Sequence, residues 1–298
     1  LAKETVLIIG LGEIGNTLFA LYNEAKEKFT VYGLDTDQQK MAALKQNKDK
    51  VPARVNTLQV CLPCDNPEKF ATIVKGYFDQ YRPTLTVVNS TVPPGTTLKV
   101  AANCDCLVAH SPARGVHINA EHMVWEMKRW TKYVGGATTE ASKAAKIHFE
   151  KLGLKVKALK SCRETELAKL FETTYRAWMI VCFQEMHRIS KVFEADFDET
   201  VDFLEDTHRE RFDRPVMFPG VIGGHCLIPN TELLLKSYDS KFLRLILESN
   251  EKRKEETKDK TVKAESDKVA ARAIALEKKI AGPKNVVLAE KKNTPECT

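Results

Sequence analysis

Short apolar runs alternate with helical patterns along the first half of the chain. Thr5–Ile9, Thr30–Leu34, Leu58–Leu62, Leu85–Asn89 and Leu107–His110 are brief runs rich in Val, Ile and Leu, and each reads as a buried strand. Helical segments separate them, the first from Asn16 to about Lys28. Lys132–Val134, a helix near Glu140–Leu152 and Leu154–Leu159 continue the alternation. Apolar strands alternating with helices predict a parallel sheet covered on both faces.

The period changes after Leu159. From Glu164 to about Phe193 the apolar positions Leu167, Leu170, Phe171, Trp178 and Val181 fall in a helical pattern with no Gly or Pro inside. A helix of that length runs about 45 Å at 1.5 Å per residue, which suits a spine or a dimerisation helix. Another helix is expected over 197–208, then a loop dense in Gly and Pro over Phe212–Pro229, then helix over Thr231–Glu248. Lys252–Lys268 is charged with mixed signs, a solvated helix surface. Val269–Ile280 can be helical, and Gly282-Pro283 stops it. The expected organisation is an α/β domain over 1–160, a helical domain over 161–250 and a charged helical tail over 251–298.

Composition narrows the class. The chain has 298 residues, 43% of them hydrophobic, enough for one or two domains with a core. No apolar run approaches the ~20 residues that span a bilayer, and the N-terminus shows no signal-peptide pattern. A net charge of +6 without a Lys/Arg stripe among aromatics gives no argument for nucleic acid. Eight cysteines without a secretory signal read as reduced thiols of a cytoplasmic protein. Cys61–Cys64 and Cys104–Cys106 suggest a zinc site, but the second spacing is tight for one. Cys61 lies in a strand-like run, where a buried cysteine acts as a small hydrophobe, so no metal is expected.

Gly10-Leu-Gly12-Glu13-Ile14-Gly15 follows the first strand and opens the first helix, and Asp35 stands 20 residues after Gly15 at the end of the second strand. That is the full context of a dinucleotide fingerprint. Gly10 allows the tight turn. Gly12 lets the backbone approach a pyrophosphate at the positive helix end, where Glu13 and Ile14 also lie, and Gly15 permits close helix–sheet packing. Asp35 would accept hydrogen bonds from the adenosine ribose and repel a 2′-phosphate, so NAD is expected rather than NADP. The alternative is a glycine turn with no cofactor. The fold class expected is α/β: an N-terminal Rossmann-type parallel sheet with helices on both faces, followed by an all-α domain built on the spine helix.

Three further segments carry candidate chemistry. Ser90-Thr91-Val92-Pro93-Pro94-Gly95-Thr96-Thr97 joins a strand to a helix and, taken locally, is a stiff turn with N-cap threonines. The spine carries Glu166-Leu-Ala-Lys169-Leu-Phe-Glu-Thr173, and the glycine loop ends Gly223-Gly224-His225-Cys226-Leu-Ile-Pro229-Asn230. With the glycine fingerprint, these segments resemble the UDP-glucose/GDP-mannose dehydrogenase family over roughly residues 4–250. The GGHC spelling is similar to the branch acting on N-acetylhexosamine sugars. The resemblance implies an NAD-dependent oxidoreductase that takes a nucleotide-sugar alcohol to a carboxylate. It implies that Thr91 lies near the nicotinamide half of the cofactor and that Lys169 steadies a developing oxyanion. It also implies that Cys226 captures the aldehyde, that Thr173 and Asn230 stand at catalytic positions, and that His225 positions the loop. Considered alone, Lys169 can be a solvated helix face and Cys226 an inert buried thiol.

The chain departs from the family pattern at three places. The family's S-P-E reads Ser111-Pro112-Ala113. Its spine asparagine reads Thr173. Its G-G-H-C-I-P-x-D reads Gly-Gly-His-Cys226-Leu-Ile-Pro229-Asn230, with one residue inserted or with drift, and with no aspartate in either register. Two carboxylates and an amide around one thiol are thereby replaced, which bears on general base catalysis; Arg114 and His117 are other polar groups nearby. The changes imply a shortened reaction, a different substrate or lost catalysis. The resemblance implies that family members grip the nucleotide diphosphate with a second Rossmann-like domain, and this chain is expected to stop short of it. Arg209, Arg211 and Arg214 either hold phosphate or are exposed arginines at a helix end. The expected partners are a nucleotide-sugar substrate and a second copy of the chain through the spine, because a long amphipathic helix needs a partner face. Neither nucleic acid nor a membrane is expected. Two other readings stay open. One is a one-step dehydrogenase of a small hydroxy acid or sugar, of the β-hydroxyacid dehydrogenase type. The other is a non-catalytic NAD-binding protein whose partner supplies the missing domain.

Overall fold

Among the described residues, 2–115 and 119–281 of a computed structural model, seven strands form one sheet. They are β1 (Glu4–Ile9), β2 (Phe29–Leu34), β3 (Thr57–Val60), β4 (Leu85–Val88), β5 (Leu107–His110), β6 (Lys132–Gly136) and β7 (Val156–Ala158). Their order is β2-β1-β3-β4-β5-β6-β7. The chain divides into two units, one through Lys169 and one from Leu170 onward.

In the first unit, β3 and β4 are buried at every position and β1 from Val6 to Ile9, which requires cover on both faces. The helices supply it: α1 (Glu13–Glu24), α2 (Gln38–Ala43), α3 (Pro67–Tyr81), α4 (Thr96–Asn103), α5 (Ala120–Arg129) and α6 (Thr139–Lys151). Over one face α1 and α6 meet through a 2.6 Å bond between Tyr22 Oη and His148 Nε2, and α3 packs against α4. The polar strand residue Gln59 is satisfied inside this core, donating to Tyr22 Oη at 2.8 Å and accepting from Asn89 at 2.8 Å.

The fold class is the one expected, with one difference in the sheet. The β5–β6 pair is antiparallel, while β1 through β5 and the β6–β7 pair are parallel. The ten-residue α5 precedes β6, and the chain enters β6 from the end at which β5 finished. An antiparallel neighbour needs no crossover of the sheet. Every other strand-to-strand link is a βαβ crossover or reaches a parallel neighbour.

The second unit is helical: the remainder of α7 (Cys162–Val192), then α8 (Phe197–Arg211), α9 (Leu227–Ser237), α10 (Lys241–Glu256) and α11 (Lys260–Ala281). The single helix expected over Thr231–Glu248 is two. It breaks at Tyr238-Asp239-Ser240, where Tyr238 is extended and Asp and Ser prefer turns and caps to helix interiors. The glycine loop is also shorter than expected, since α9 begins at Leu227 and takes Pro229 into its first turn, where a missing N–H costs nothing. The charged stretch belongs to α10 and α11. Arg272 of α11 holds Asp202 and Glu205 of α8 at 3.0 and 3.3 Å. Residues 282–298, including the expected Gly-Pro stop, lie outside the described residues.

Candidate active site

The glycine turn sits where β1 hands over to α1. In this strand order β2 lies on one side of β1 and β3 on the other, so the C-terminal end of β1 is the switch point at which such sheets bind ligands. Gly10 has φ +85°, and a Cβ there would fall 2.5 Å from the Cys61 carbonyl oxygen at the end of β3. A Cβ on Gly15 would meet the Gly10 carbonyl oxygen at 1.8 Å. Gly12 is the N-cap of α1; it has open space where a side chain would be, and no side chain caps the helix. Glu13 and Ile14 form the first turn.

Asp35 closes this turn. Its Oδ2 accepts from the Leu11 N–H at 2.6 Å and its Oδ1 from the Asp37 N–H at 2.9 Å. Burial works to raise its pKa, but these bonds and Lys40 at 3.8 Å outweigh burial and hold the carboxyl below its ordinary range. An uncapped helix end, a turn that excludes side chains and an ionised acid bonded to that turn fit a dinucleotide. The helix end can take a pyrophosphate, and Asp35 keeps lone pairs for ribose hydroxyls.

The Thr91 loop is fixed at several points. His110 Nε2 donates to the Ser90 carbonyl at 3.0 Å, and Thr96 Oγ1 donates to the Pro93 carbonyl at 2.7 Å. The threonines do not cap α4, whose N-cap is Gly95 at φ +92°. Instead Glu166 of α7, fully buried, accepts from the N–H groups of Gly95 at 2.6 Å and Thr97 at 2.8 Å. Burial raises the pKa of Glu166, against the pull of those two bonds. Thr91 itself is half-buried. His110 Nδ1 faces Thr165 Oγ1 at 2.8 Å. Since Nε2 donates, Nδ1 is the acceptor of a neutral ring, and burial pushes its pKa down to about 3.

Lys132, which sequence reasoning passed over, opens β6 and is 6% exposed. Its Nζ donates to the Ser111 carbonyl at 3.1 Å and lies 4.8 Å from the centroid of the Phe149 ring, and no carboxylate among the described residues pairs with it. Burial, with the charges of Arg114 and Lys169 and against the Cys61 thiol, pushes its ammonium down to about 7. The only sequence signal was a charged residue at the start of an otherwise apolar strand. An unfolded lysine titrates near its ordinary value, so between about pH 7 and 10 the unfolded chain holds the extra proton and stability climbs with pH. Lys132→Met is therefore expected to be more stable than the parent at pH 7. Its advantage should shrink by about 2–3 kcal/mol between pH 7 and pH 9. Urea denaturation at three pH values checks this, and parallel pH dependences for the two proteins would refute it.

The half-buried Cys61 thiol and the buried thiols of Cys64 and Cys104 are pushed up to about 12 by desolvation, which keeps them protonated. No group of three or more His, Cys, Asp or Glu among the described residues is placed to hold a metal ion.

In the second unit Cys226 is the half-buried N-cap of α9. Its carbonyl accepts from the Asn230 N–H at 3.0 Å. Asn230 is buried, and its Nδ2 donates to Thr173 Oγ1 at 3.3 Å, while that hydroxyl donates to the Leu170 carbonyl at 2.9 Å. Thr173 and Asn230 are thus hydrogen-bonded to each other, and Asn230 faces Thr173 four residues after Cys226. His225 is exposed. Ala113 is buried, and His117 lies outside the described residues. Arg209 pairs with Glu205, and Arg214 with Asp213 at 2.7 Å.

A switch-point glycine turn, an acid ending β2 and a mostly parallel sheet define a Rossmann-type dinucleotide-binding fold. Residues 163–252 match the UDP-glucose/GDP-mannose dehydrogenase family, central domain, so the chain carries a domain of that family. It is similar to UDP-N-acetyl-D-mannosamine dehydrogenase of Methanocaldococcus jannaschii, at 25% identity over 83% of this chain and 65% of the relative. The chain therefore spans somewhat less than two thirds of that relative's length. Among solved structures it is similar to the UDP-D-ManNAc dehydrogenase of Pyrococcus horikoshii, with a TM-score of 0.67 and 20% identity over 84% of this chain and 68% of that one. It is also similar to 3-hydroxyisobutyrate dehydrogenase of Mycobacterium tuberculosis, with a TM-score of 0.62 and 15% identity over 87% of this chain and 95% of that one. A Rossmann-type fold in a dehydrogenase family implies a nicotinamide cofactor. No described helix is long and apolar enough to cross a membrane.

Proposed function

We propose that this protein is an NAD-dependent dehydrogenase that oxidises the alcohol of a nucleotide sugar. One conjunction carries the reading: a glycine turn closed by Asp35 stands in the same chain as a family central domain that spans Lys169 and Cys226. NAD bound at that turn supplies the hydride acceptor. Gly10, Gly12 and Gly15 let the pyrophosphate approach the N–H groups of Glu13 and Ile14. Asp35 binds the adenosine ribose and disfavours a 2′-phosphate. Thr91 offers a hydroxyl to the nicotinamide half, on a loop fixed by His110 and Glu166. Lys169 stabilises the sugar oxyanion. The Cys226 thiolate adds to the aldehyde carbon. The first-turn N–H groups of α9 favour negative charge at that sulfur. Asn230, whose N–H bonds to the Cys226 carbonyl, and Thr173, bonded to Asn230, supply neutral polar groups on this side of the loop.

The spine also supports a homodimer. Phe171, Tyr175 and Ile189 are 55%, 65% and 51% exposed along α7, an apolar stripe that a second copy would cover.

A second reading has its own support. The small hydroxy-acid dehydrogenase of M. tuberculosis is matched over 95% of its length, so a one-step oxidation of a small hydroxy acid fits the fold as it stands.

NADH formation with NAD and a panel of UDP-sugars, GDP-sugars and 3-hydroxy acids decides between them, comparing the parent with Cys226→Ser. Two NADH per nucleotide sugar, falling to one or none in the variant, is the expected result. One NADH per hydroxy acid, indifferent to Cys226→Ser, moves the assignment to the second reading. Turnover of no alcohol overturns both. Sedimentation of the same preparation as a monomer overturns the dimer.

A further inference from the structure

The loop that delivers Cys226 is irregular, and the glycines before it give it no stiffness of its own. Two buried carboxamides grip it from neighbouring helices. Gln184 of α7, fully buried, donates from Nε2 to the Gly220 carbonyl at 2.7 Å. Asn250 of α10, 1% exposed, accepts from the Ile222 N–H at 2.7 Å and donates to the Ile222 carbonyl at 3.2 Å. It thereby satisfies both backbone groups of one loop residue, as a neighbouring strand would. The next four residues are Gly223, Gly224, His225 and Cys226.

The direction of these bonds is fixed from behind. Arg188 holds the Glu256 carboxylate through Nε at 2.9 and 3.1 Å and donates from Nη1 to Ser249 Oγ at 2.9 Å. With that oxygen already accepting, the Ser249 hydroxyl donates to Gln184 Oε1 at 2.7 Å. The Gln184 amide is therefore oriented with its N–H toward Gly220. Downstream of Cys226, Asn230 is tied to Thr173. The cysteine is thus suspended between two anchors on one helix: Gln184 before it and Thr173 after it.

We infer that Gln184 and Asn250 are positioning residues that hold the Cys226 loop at a fixed height on α7 and α10, so that the thiol is presented in one orientation. The inference rests on Cys226 being the nucleophile of the proposed reaction, but its test does not need that reaction. Gln184→Glu keeps the acceptor for Ser249 and sets an oxygen against the Gly220 carbonyl. Asn250→Asp keeps the acceptor for Ile222 N–H and loses the donor. Both keep the side-chain volume. The probe is iodoacetamide, with modification of individual cysteines followed by peptide mass spectrometry. Cys182, exposed on α7, serves as the internal reference.

In folded variants the alkylation rate of Cys226 is expected to change about 10-fold, while that of Cys182 stays constant. With a nucleotide sugar, the NADH step that depends on Cys226 should slow by a similar factor, with KM for NAD unchanged. Unchanged Cys226 reactivity in both variants overturns the inference. Should Asn250→Asp not fold, Gln184→Glu and Ser249→Ala carry the test on the same criterion. A shift in reactivity without any loss of dehydrogenase activity would instead overturn the role of Cys226 and leave the positioning intact.

Discussion

Replacing Lys169 with methionine is expected to lower kcat for alcohol oxidation about 10²–10³-fold, the usual cost of removing one preorganised group that stabilises an oxyanion. NAD affinity should stay within about threefold, since a group that acts on the transition state contributes little to cofactor binding. The argument for this lysine is positional. Glu166 lies three residues earlier on α7 and bonds to the backbone at Gly95 and Thr97, so that face of the helix is turned toward the Thr91 loop. Lys169 shares it. Its charge is also close enough to help depress both His110 and Lys132. A positive charge on that face adds to a local potential that favours an anion. Methionine keeps the length and apolar stem and removes only the charge. NADH production at saturating nucleotide sugar, together with NAD titration by fluorescence quenching, measures both quantities. A kcat for Lys169→Met within about threefold of the parent would remove Lys169 from the mechanism.

Gly15→Ala is expected to abolish measurable NAD binding and to cost several kcal/mol of stability, more than ~3 kcal/mol. The added methyl would lie 1.8 Å from a backbone oxygen, that of Gly10, and backbone cannot rotate away as a side chain can. Either α1 lifts off the sheet or the turn opens, and each destroys the alignment of the helix end with Asp35. Gly12→Ala is the control: its Cβ meets nothing within 4 Å, so the fold should survive while space for the pyrophosphate is reduced. Thermal melting and NAD titration of the two variants distinguish them. Equal stability for both would show that the turn is not held as described.

Much of this protein is decided locally. The order of strands and helices follows from apolar runs of strand length between helical patterns, and the spine from an interval without Gly or Pro. The glycine turn and Asp35 could be placed because a dinucleotide fingerprint is a spacing rule: a tight turn, a helix start and an acid at the next strand end. Other elements could not be read that way. The antiparallel entry of β6 depends on the path taken after β5, and no periodicity encodes it. The break at Tyr238–Ser240 is marked only by an Asp and a Ser that prefer turns and caps, a weak signal between two flanking sequences that both read as helix.

The supporting residues were the least legible. Glu166 caps a helix 69 residues away in sequence through Thr97. Lys132 looks like any lysine until its burial is known. Gln184 and Asn250 act on a loop that neither adjoins in the chain. Thr173 and Asn230 are 57 residues apart and meet only because α7 and α9 bring them together. Local spacing thus determined the elements and the cofactor turn, since short-range sterics and periodicity suffice for those. Tertiary structure alone decided which buried polar groups satisfy one another. A hydrogen bond inside a protein pairs whatever the packing brings within about 3 Å, regardless of distance along the chain.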